Sequence, residues 1–406
     1  MRKHFLIPTF FFLLQFAYNS ANAQSIWIQK ANYGGPPTTM AVGFSIGNYG
    51  YIGTGDSYTG VTDSLWQYDP SSNIWVAKTP FPGTPRKLAV GFSLGNYGYI
   101  GTGIDAGTNG YCNDFQRYNP SSNTWSSIAP IPGARCHAVA FTIQGSAYVG
   151  MGYSNLGGYL NDFYKYDTTS NTWSSIASFP LAGRESSIGF SINGKGYVMC
   201  GFNNLSSPID YNDCWEYNPT TNSWVAVASL PAPGRWGATG FSIGNYGYLG
   251  LGNGMGAFSD FLKYDPVANT WTLLSPFPGG QRNWSTSFVI NSCAYLGTGS
   301  DSLGTYDNHF WETCNGVAGT EENYSSQSVL ICPNPFSTQT TLTFANPTHQ
   351  NCTLTLFDLH GQIVRTIRNI TADKVEIERQ SLSCGLYFFQ LRTEKQIIAT
   401  GKLMIE

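Results

Sequence analysis

The chain has 406 residues, of which 11% are charged and 15% are aromatic. Its formal net charge of −3 argues against nucleic acid as a partner, because duplex binding depends on a dense basic patch. The aromatic content argues against disorder, since aromatic side chains can bury a large core.

The first 23 residues are typical of a secretory signal peptide. A basic start (residues 2–4) precedes an apolar run (residues 5–16), and Ala-Asn-Ala at residues 21–23 supplies a small-x-small cleavage pattern. Cleavage would leave 21 − 2 = 19 basic residues against 24 acidic ones. The apolar run is too short to span a bilayer comfortably, and no later segment comes close, so we expect an exported protein without a transmembrane segment.

A pattern of four short strands recurs after this leader. Its first copy reads AVGFSIGNYGYIGTG (41–55), a variable loop, SLWQYDP (64–70) and then a tryptophan, with a two-residue turn at Gly47-Asn48. A period of this length with Gly-rich turns predicts four-stranded blades arranged radially, a β-propeller. The tryptophans are expected to pack between blades and recur every 47 to 51 residues: Trp27, Trp75, Trp125, Trp173, Trp224 and Trp271.

The sixth copy lacks its tryptophan strand. It contains STSFVINSCAYLGTG (285–299) and NHFWETC (308–314), after which the repeat stops. The missing strand is found at the other end of the repeats as SIWIQKA (25–31), which predicts that this strand completes the last blade and leaves no free edge. The predicted fold class is all-β, with a six-bladed propeller over residues 24–315.

The repeat resembles the kelch family. The shared signature is a pair of glycines ending the second strand, a Tyr-Asp-Pro-like turn, a Trp, and an Arg shortly before the next blade. One departure is systematic: the glycine pair is split by one residue, as at residues 53–55, 101–103 and 297–299, and reads Met-Cys-Gly at residues 199–201. We therefore expect the kelch fold with slightly altered packing near the axis.

A second, smaller all-β unit follows a polar linker at residues 316–328. Residues 329–406 resemble the C-terminal sorting domain of type IX secretion cargo, through PNPF (333–336), FDLHG (357–361), GLY (385–387) and KL (402–403). The resemblance implies an Ig-like β-sandwich, recognition by the secretion machinery, removal of the domain, and release or attachment at the outer-membrane surface. The alternative is an Ig-like module with a ligand of its own.

The chain has nine cysteines in a protein expected to cross an oxidising periplasm. Superimposing the repeats brings Cys200 close to Cys214, and Cys293 close to Cys314, on neighbouring strands. The registers of these two pairs differ by one residue, so both pairs cannot be directly opposite without a bulge. A third pair lies on the loops of one face. No C-x-x-C spacing favours zinc, so no metal is expected. The predicted disulfides are Cys112–Cys136, Cys200–Cys214 and Cys293–Cys314.

Five arginines occupy one position, six residues before the phenylalanine of the first strand, and Thr38 takes this position in the first blade. Five guanidinium groups near the channel mouth would form a positive funnel suited to carboxylates. The kelch resemblance also implies that arginines here can line a binding pocket. The alternative is that each is structural and bonded to loop carbonyls or a neighbouring Asp. These candidate ligand-binding residues are Arg86, Arg135, Arg184, Arg235 and Arg282.

Other candidate binding residues fall beside the arginines. Aromatic platforms with polar and acidic neighbours suit a sugar or an acidic peptide. The candidates are Trp236, Trp284, His137 and Glu185, with Tyr153, Asn203, Asn253, Asp56, Asp105 and Asp301 nearby.

Catalysis has little support in the sequence. Copper radical oxidases with this kind of propeller need two histidines at the metal, whereas His137 and His309 fall apart in the repeat alignment. No H-E-x-x-H is present, and G-x-S-x-G occurs only within the first strand and hairpin of the repeat, at residues 43–47, 91–95 and 240–244, and not as a nucleophile elbow. We expect a secreted or surface-attached monomer that binds a glycan or a surface protein, with no cofactor. The alternatives are a carbohydrate-active enzyme similar to the six-bladed kelch sialic acid epimerases, with Glu185 as its acid, and a purely structural role.

Overall fold

The computed structural model describes residues 27–254, 256–314, 330–344, 346, 349–358, 362–393 and 397–406. The predicted signal peptide and linker lie outside the described residues. The chain divides into two compact units, with the boundary between residues 315 and 316. Within the described residues, no helix is long and apolar enough to cross a membrane.

The first unit is a six-bladed β-propeller, and its blades are antiparallel four-stranded sheets. The innermost strands of consecutive blades contact one another all the way round, which forms the closed core. From the axis outward, the strands of the first blade are Val42–Ile46, Tyr49–Gly53, Leu65–Asp69 and Ile74–Lys78, and those of the second are Val90–Leu94, Tyr97–Gly101, Phe115–Asn119 and Thr124–Ile128. The third blade has Val139–Ile143, Ser146–Gly150, Phe163–Asp167 and Thr172–Ser175, and the fourth has Ile188–Ile192, Lys195–Met199, Cys214–Asn218 and Ser223–Val227. The fifth blade has Thr239–Ile243, Tyr246–Gly250, Phe261–Asp265 and Thr270–Leu273.

The sixth blade takes its outer strand from the other end of the propeller unit. Its inner strands are Thr286–Ile290, Cys293–Gly297 and Phe310–Cys314, and Ile28–Lys30 pairs antiparallel with the last of these. Lys30 also lies 3.3 Å from Glu312 on that partner strand. The prediction that the N-terminal strand completes the propeller is confirmed.

Within the described residues, a hydrogen-bonded clamp joins the outer strand of one blade to the next blade at five junctions, and Trp27 Nε1 has no such partner at the sixth. Ala31 follows the outer strand of the sixth blade; its N–H donates to Asn73 Oδ1 at 2.9 Å and its carbonyl accepts from Trp75 Nε1 at 3.2 Å. The Tyr68 hydroxyl donates to the same Asn73 oxygen at 2.8 Å. The recurring tryptophans therefore hold blades together as well as pack against them, and the clamp returns at Trp125, Trp173, Trp224 and Trp271.

The split glycine pair also makes a contact between blades. Gly55 has a φ of 105° and donates its N–H to the carbonyl of Arg86 in the next blade at 2.8 Å. A Cβ on Gly55 would meet Thr38 Cγ2 and the Thr39 carbonyl oxygen at 2.8 Å, so the close approach requires glycine. The equivalent bond crosses each of the five remaining junctions, through Gly103, Gly152, Gly201, Gly252 and Gly299.

The second unit contains a three-stranded and a four-stranded antiparallel sheet. The PNPF segment binds the last strand: Asn334 Oδ1 accepts from the Met404 N–H at 2.8 Å, and the Phe336 N–H donates to the Met404 carbonyl at 3.0 Å. Phe336 is buried with Leu354, Leu391 and Leu403 in the core of this unit. Residues 359–361 of the FDLHG motif lie outside the described residues. The three-stranded sheet consists of Leu330–Cys332, Gln339–Thr343 and Lys374–Glu378. The four-stranded sheet consists, in spatial order, of Ile363–Ile370, Cys352–Phe357, Gly385–Arg392 and Ile397–Ile405.

The structure forms one of the three predicted disulfides, Cys293–Cys314, between residues that are directly opposed on neighbouring strands. The Cys200–Cys214 prediction is corrected, because both thiols are free and Cys214 is opposed to Met199. Cys200 follows the end of its strand with a φ of 61°, so it is one residue away from the position opposite Cys214, and the two thiols stay free although both lie in the same core.

The Cys112–Cys136 prediction is corrected for a similar reason. Both thiols are free, and the Cys112 carbonyl accepts from the Arg135 N–H at 3.0 Å, which sets Cys112 opposite Arg135. The neighbouring Tyr111 brings its hydroxyl to Cys136 instead. Loop positions do not keep the register that the repeat alignment assumed.

Replacing Cys293 and Cys314 by Ser should lower the free energy of unfolding by about 3 kcal/mol, because the disulfide closes a loop across 21 residues in the unfolded chain. Chemical denaturation of the oxidised protein and its variant measures this. Cys112→Ser, which removes a free thiol, is the control. An unchanged midpoint in the double variant would contradict the prediction.

Candidate functional site at the loop face

The five predicted arginines lie inside the propeller wall, each at most 5% exposed. Arg235 Nη1 and Nη2 donate to the two carboxylate oxygens of Asp260 at 2.6 and 2.8 Å, and Nη1 also donates to the Leu251 carbonyl at 3.1 Å. The guanidinium lies 4.2 Å from the centre of the Phe258 ring. Each other arginine also pairs with an aspartate: Arg86 with Asp114, Arg135 with Asp162, Arg184 with Asp213 and Arg282 with Asp307.

These pairs correct the expectation of a positive funnel. A guanidinium that meets a carboxylate and a backbone carbonyl is neutralised and has its donors occupied by the protein. The first blade supports this reading, because it has Thr38 where the others have Arg and Ser64 before its third strand, where blades two to five have Asp. Both members of the pair are absent together, as expected of a structural ion pair.

Arg235→Thr should lower the free energy of unfolding by about 3 kcal/mol, because it leaves the Asp260 carboxylate without its partner. Arg235→Thr/Asp260→Ser, which copies the first blade, should be at least about 1 kcal/mol more stable than the single variant. Denaturant unfolding of both measures this. Equal stability of the two variants would show that the pair is not the source of the loss.

Six residues form a ring around the mouth of the channel, and we call them the mouth ring. All six have φ between 54° and 60°, and backbone hydrogen bonds run from blade to blade between them, as from the Ser186 N–H to the His137 carbonyl at 3.0 Å. They enclose a cavity of about 100 Å³, well below the roughly 300 Å³ of a small-ligand pocket. The mouth ring is Met40, Leu88, His137, Ser186, Gly237 and Trp284.

Four predicted binding residues meet at one side of this ring. His137 Nδ1 lies 2.7 Å from Ser186 Oγ and 3.7 Å from Glu185 Oε2, and the edge of the imidazole contacts Trp284 at 5.0 Å between ring centres. Trp236 lies 5.6 Å from Trp284. Burial raises the pKa of Glu185 to about 7 and lowers the pKa of His137 to about 4.

Glu185 differs from the other predicted acids. Asp105 and Asp301 accept backbone N–H bonds from their own loops, and Asp56 Oδ2 accepts from Lys87 Nζ at 2.6 Å. Within the described residues, the Glu185 carboxyl has no lysine or arginine partner. Asn203 is buried and structural, since it donates to the Gly183 carbonyl at 3.0 Å.

A larger pocket of about 510 Å³ lies beside this side of the mouth, between loops of blades two and three, and we call it the loop pocket. Tyr111, Leu160 and Tyr164 supply apolar surface, and Ser154 and Asn155 supply polar groups. The buried Arg135–Asp162 pair forms part of its wall, so Arg135 borders a pocket although its own donors are occupied.

An aromatic row continues from the loop pocket. Tyr111 and Tyr153 lie 6.0 Å apart between ring centres, and Tyr153 and Tyr159 lie 5.0 Å apart. Most residues of the loop pocket were not identified from the sequence. They lie in loops that differ from blade to blade, where the repeat alignment gives no position.

This combination of six blades, Gly-x-Gly crossings and Tyr–Trp clamps defines a kelch-type propeller. Residues 94–299, just over half of the chain, match the KLHDC2/KLHL20/DRC7 Kelch-repeats domain. The chain therefore belongs to the kelch-repeat family.

Comparison with individual proteins shows the fold alone. One solved structure, described as "Structure of YjhT", is 16% identical, has a TM-score of 0.58, and covers 70% of this chain and 99% of that chain. No curated protein matches.

Residues 330–406 match the secretion system C-terminal sorting domain. The match indicates that the type IX system exports the protein to the cell surface or the medium.

Proposed function

We propose that the propeller binds a neutral glycan in the loop pocket and does not transform it. The observation that carries this proposal is the pocket of about 510 Å³, because its size lies in the range of small-ligand sites. Tyrosine rings offer flat apolar faces to the C–H groups of a sugar, and the neighbouring amide and hydroxyl groups can bond its hydroxyls.

The electrostatics favour a neutral ligand. The five arginines predicted to attract carboxylates are paired with aspartates, and the carboxylate of Asp162 borders the pocket. An acidic peptide or acidic sugar would meet no unpaired cation from these arginines. A concave pocket also suits one or a few sugar units better than the broad surface of a folded protein.

Export places this pocket outside the cell, where glycans are available. In our proposal, residues 1–23 direct the chain to the periplasm and residues 329–406 direct it across the outer membrane. The sorting domain is then removed, and the propeller is released or attached to the surface.

Removal of residues 330–406 should leave the propeller in the periplasm, because the sorting domain is the part that the secretion machinery recognises. Cell fractionation and immunoblotting of the full chain and the truncated chain measure this. A chain that keeps the sorting domain but carries Tyr111→Ala is the control and should be exported. Export of the truncated chain would contradict the assignment.

Asn155→Trp should abolish glycan binding, because the added indole fills the loop pocket, and Tyr111→Ala should weaken binding at least about tenfold through the lost aromatic contact. A glycan array followed by calorimetry with the secreted chain measures both. Tyr49→Ala is the matched control, because Tyr49 is a 42% exposed aromatic residue in the hairpin between first and second strands, at the opposite face.

Two outcomes would overturn the proposal. One is binding that survives Asn155→Trp, and the other is the absence of any bound glycan on the array. The enzyme alternative is separated by NMR of the bound sugar over time, since epimerisation would change its anomeric or ring-proton signals whereas binding alone would not.

A further inference from the structure

Three side chains with metal-binding atoms converge beside the mouth ring. Cys136 and His137 enter the third blade, Glu185 enters the fourth, and one donor atom from each lies within 4.8 Å of the other two. Tetrahedral zinc with bonds of about 2.0 to 2.3 Å separates its ligand atoms by about 3.3–3.8 Å. The distance of 3.7 Å from His137 Nδ1 to Glu185 Oε2 is a few tenths of an ångström longer than the roughly 3.3 Å that this geometry gives for a nitrogen and an oxygen ligand, so a small side-chain rotation would complete the spacing.

The backbone holds all three residues in place. Cys136 exchanges two backbone hydrogen bonds with Tyr153, at 3.0 and 2.9 Å, and Glu185 exchanges two with Phe202, both at 2.9 Å. His137 belongs to the mouth ring and donates its N–H to the Leu88 carbonyl at 3.0 Å. Rotation of side chains alone can therefore complete a binding site, which limits the free energy lost to ordering.

Two hydroxyl groups contact this cluster, that of Tyr111 at Cys136 and Ser186 Oγ at 2.7 Å from His137 Nδ1, and metal binding through these atoms would replace the two contacts. Cys136 forms no disulfide, and the Glu185 carboxyl has no lysine or arginine partner within the described residues. Cys136 is 1% exposed, whereas the side chains of His137 and Glu185 are 16% and 18% exposed. The thiol thus forms the inner side of the cluster and the other two groups border the mouth.

We propose that Cys136, His137 and Glu185 bind a divalent transition-metal ion, with zinc as the best chemical fit. Thiolate, imidazole and carboxylate are the three side-chain groups with which proteins bind zinc. The thiolate argues against magnesium or calcium, because these ions prefer oxygen ligands. Binding displaces the thiol proton to solvent, and one thiolate and one carboxylate balance the two positive charges. Three protein ligands leave a fourth position for water or a ligand oxygen.

This site does not depend on glycan binding in the loop pocket, and no C-x-x-C spacing in the sequence indicates it. Here two ligands are adjacent in the chain and the third lies one blade later. Only the radial packing of blades brings them together.

Cobalt tests the site directly, because a Co²⁺–thiolate bond gives a charge-transfer band in the near ultraviolet. The secreted protein, treated with a chelator under mild reduction and then freed of both reagents, should bind one Co²⁺ and show this band. Addition of Zn²⁺ should displace the Co²⁺ and abolish the band. Cys136→Ser should abolish the band, and Glu185→Gln should weaken Co²⁺ binding at least about tenfold. Cys112→Ser removes the neighbouring free thiol and should leave binding unchanged.

Folding of each variant is checked by circular dichroism, and Glu185→Gln tests the site if Cys136→Ser does not fold. A band that persists in Cys136→Ser, or the absence of a band in the wild-type chain, would overturn the proposal. So would intact-mass evidence that Cys136 of the secreted chain is held in a disulfide.

Discussion

Each of the five buried arginines of the propeller bonds an aspartate carboxylate and a backbone carbonyl, and this requirement ties together the segments that form a blade junction. In the second blade, the Arg86 side chain bonds Asp114 and the Thr102 carbonyl, while its own carbonyl accepts the N–H of Gly55 from the first blade. The Gly-x-Gly turn is therefore spaced for a hydrogen bond across the junction. Because the middle residue also has positive φ, its carbonyl faces the guanidinium.

The same requirement decides the character of the loop face. A guanidinium that is bonded on three sides cannot serve a ligand, so the charge that the sequence suggested for the channel mouth is not available there. What remains beside the mouth is a neutral, aromatic surface around one carboxyl, Glu185. The loop pocket has the volume for a ligand, whereas the cavity inside the mouth ring does not.

Closure of the propeller is reinforced at the one blade that is built from two distant segments. The strand Phe310–Cys314 pairs with Ile28–Lys30 on one side and is joined to Cys293 by the disulfide on the other. The disulfide does not cross the junction with the N-terminal strand, but it holds in place the strand with which Ile28–Lys30 pairs, which suits a protein exported beyond the cytoplasm.

The repeat itself determined the fold of this protein. Its period, its recurring tryptophans and the strand missing from the sixth copy were sufficient to predict six blades closed by residues 25–31, because short-range hydrogen-bonding patterns repeat with the sequence. Only the tertiary structure decided the site. Whether Arg235 faces a ligand or Asp260 depends on side chains brought in from another strand, and the loop pocket lies where blades differ. Likewise, a one-residue offset in strand pairing kept Cys200 from the position opposite Cys214. Radial packing of the blades placed Glu185 beside Cys136, and neither composition nor spacing along the chain can specify this contact.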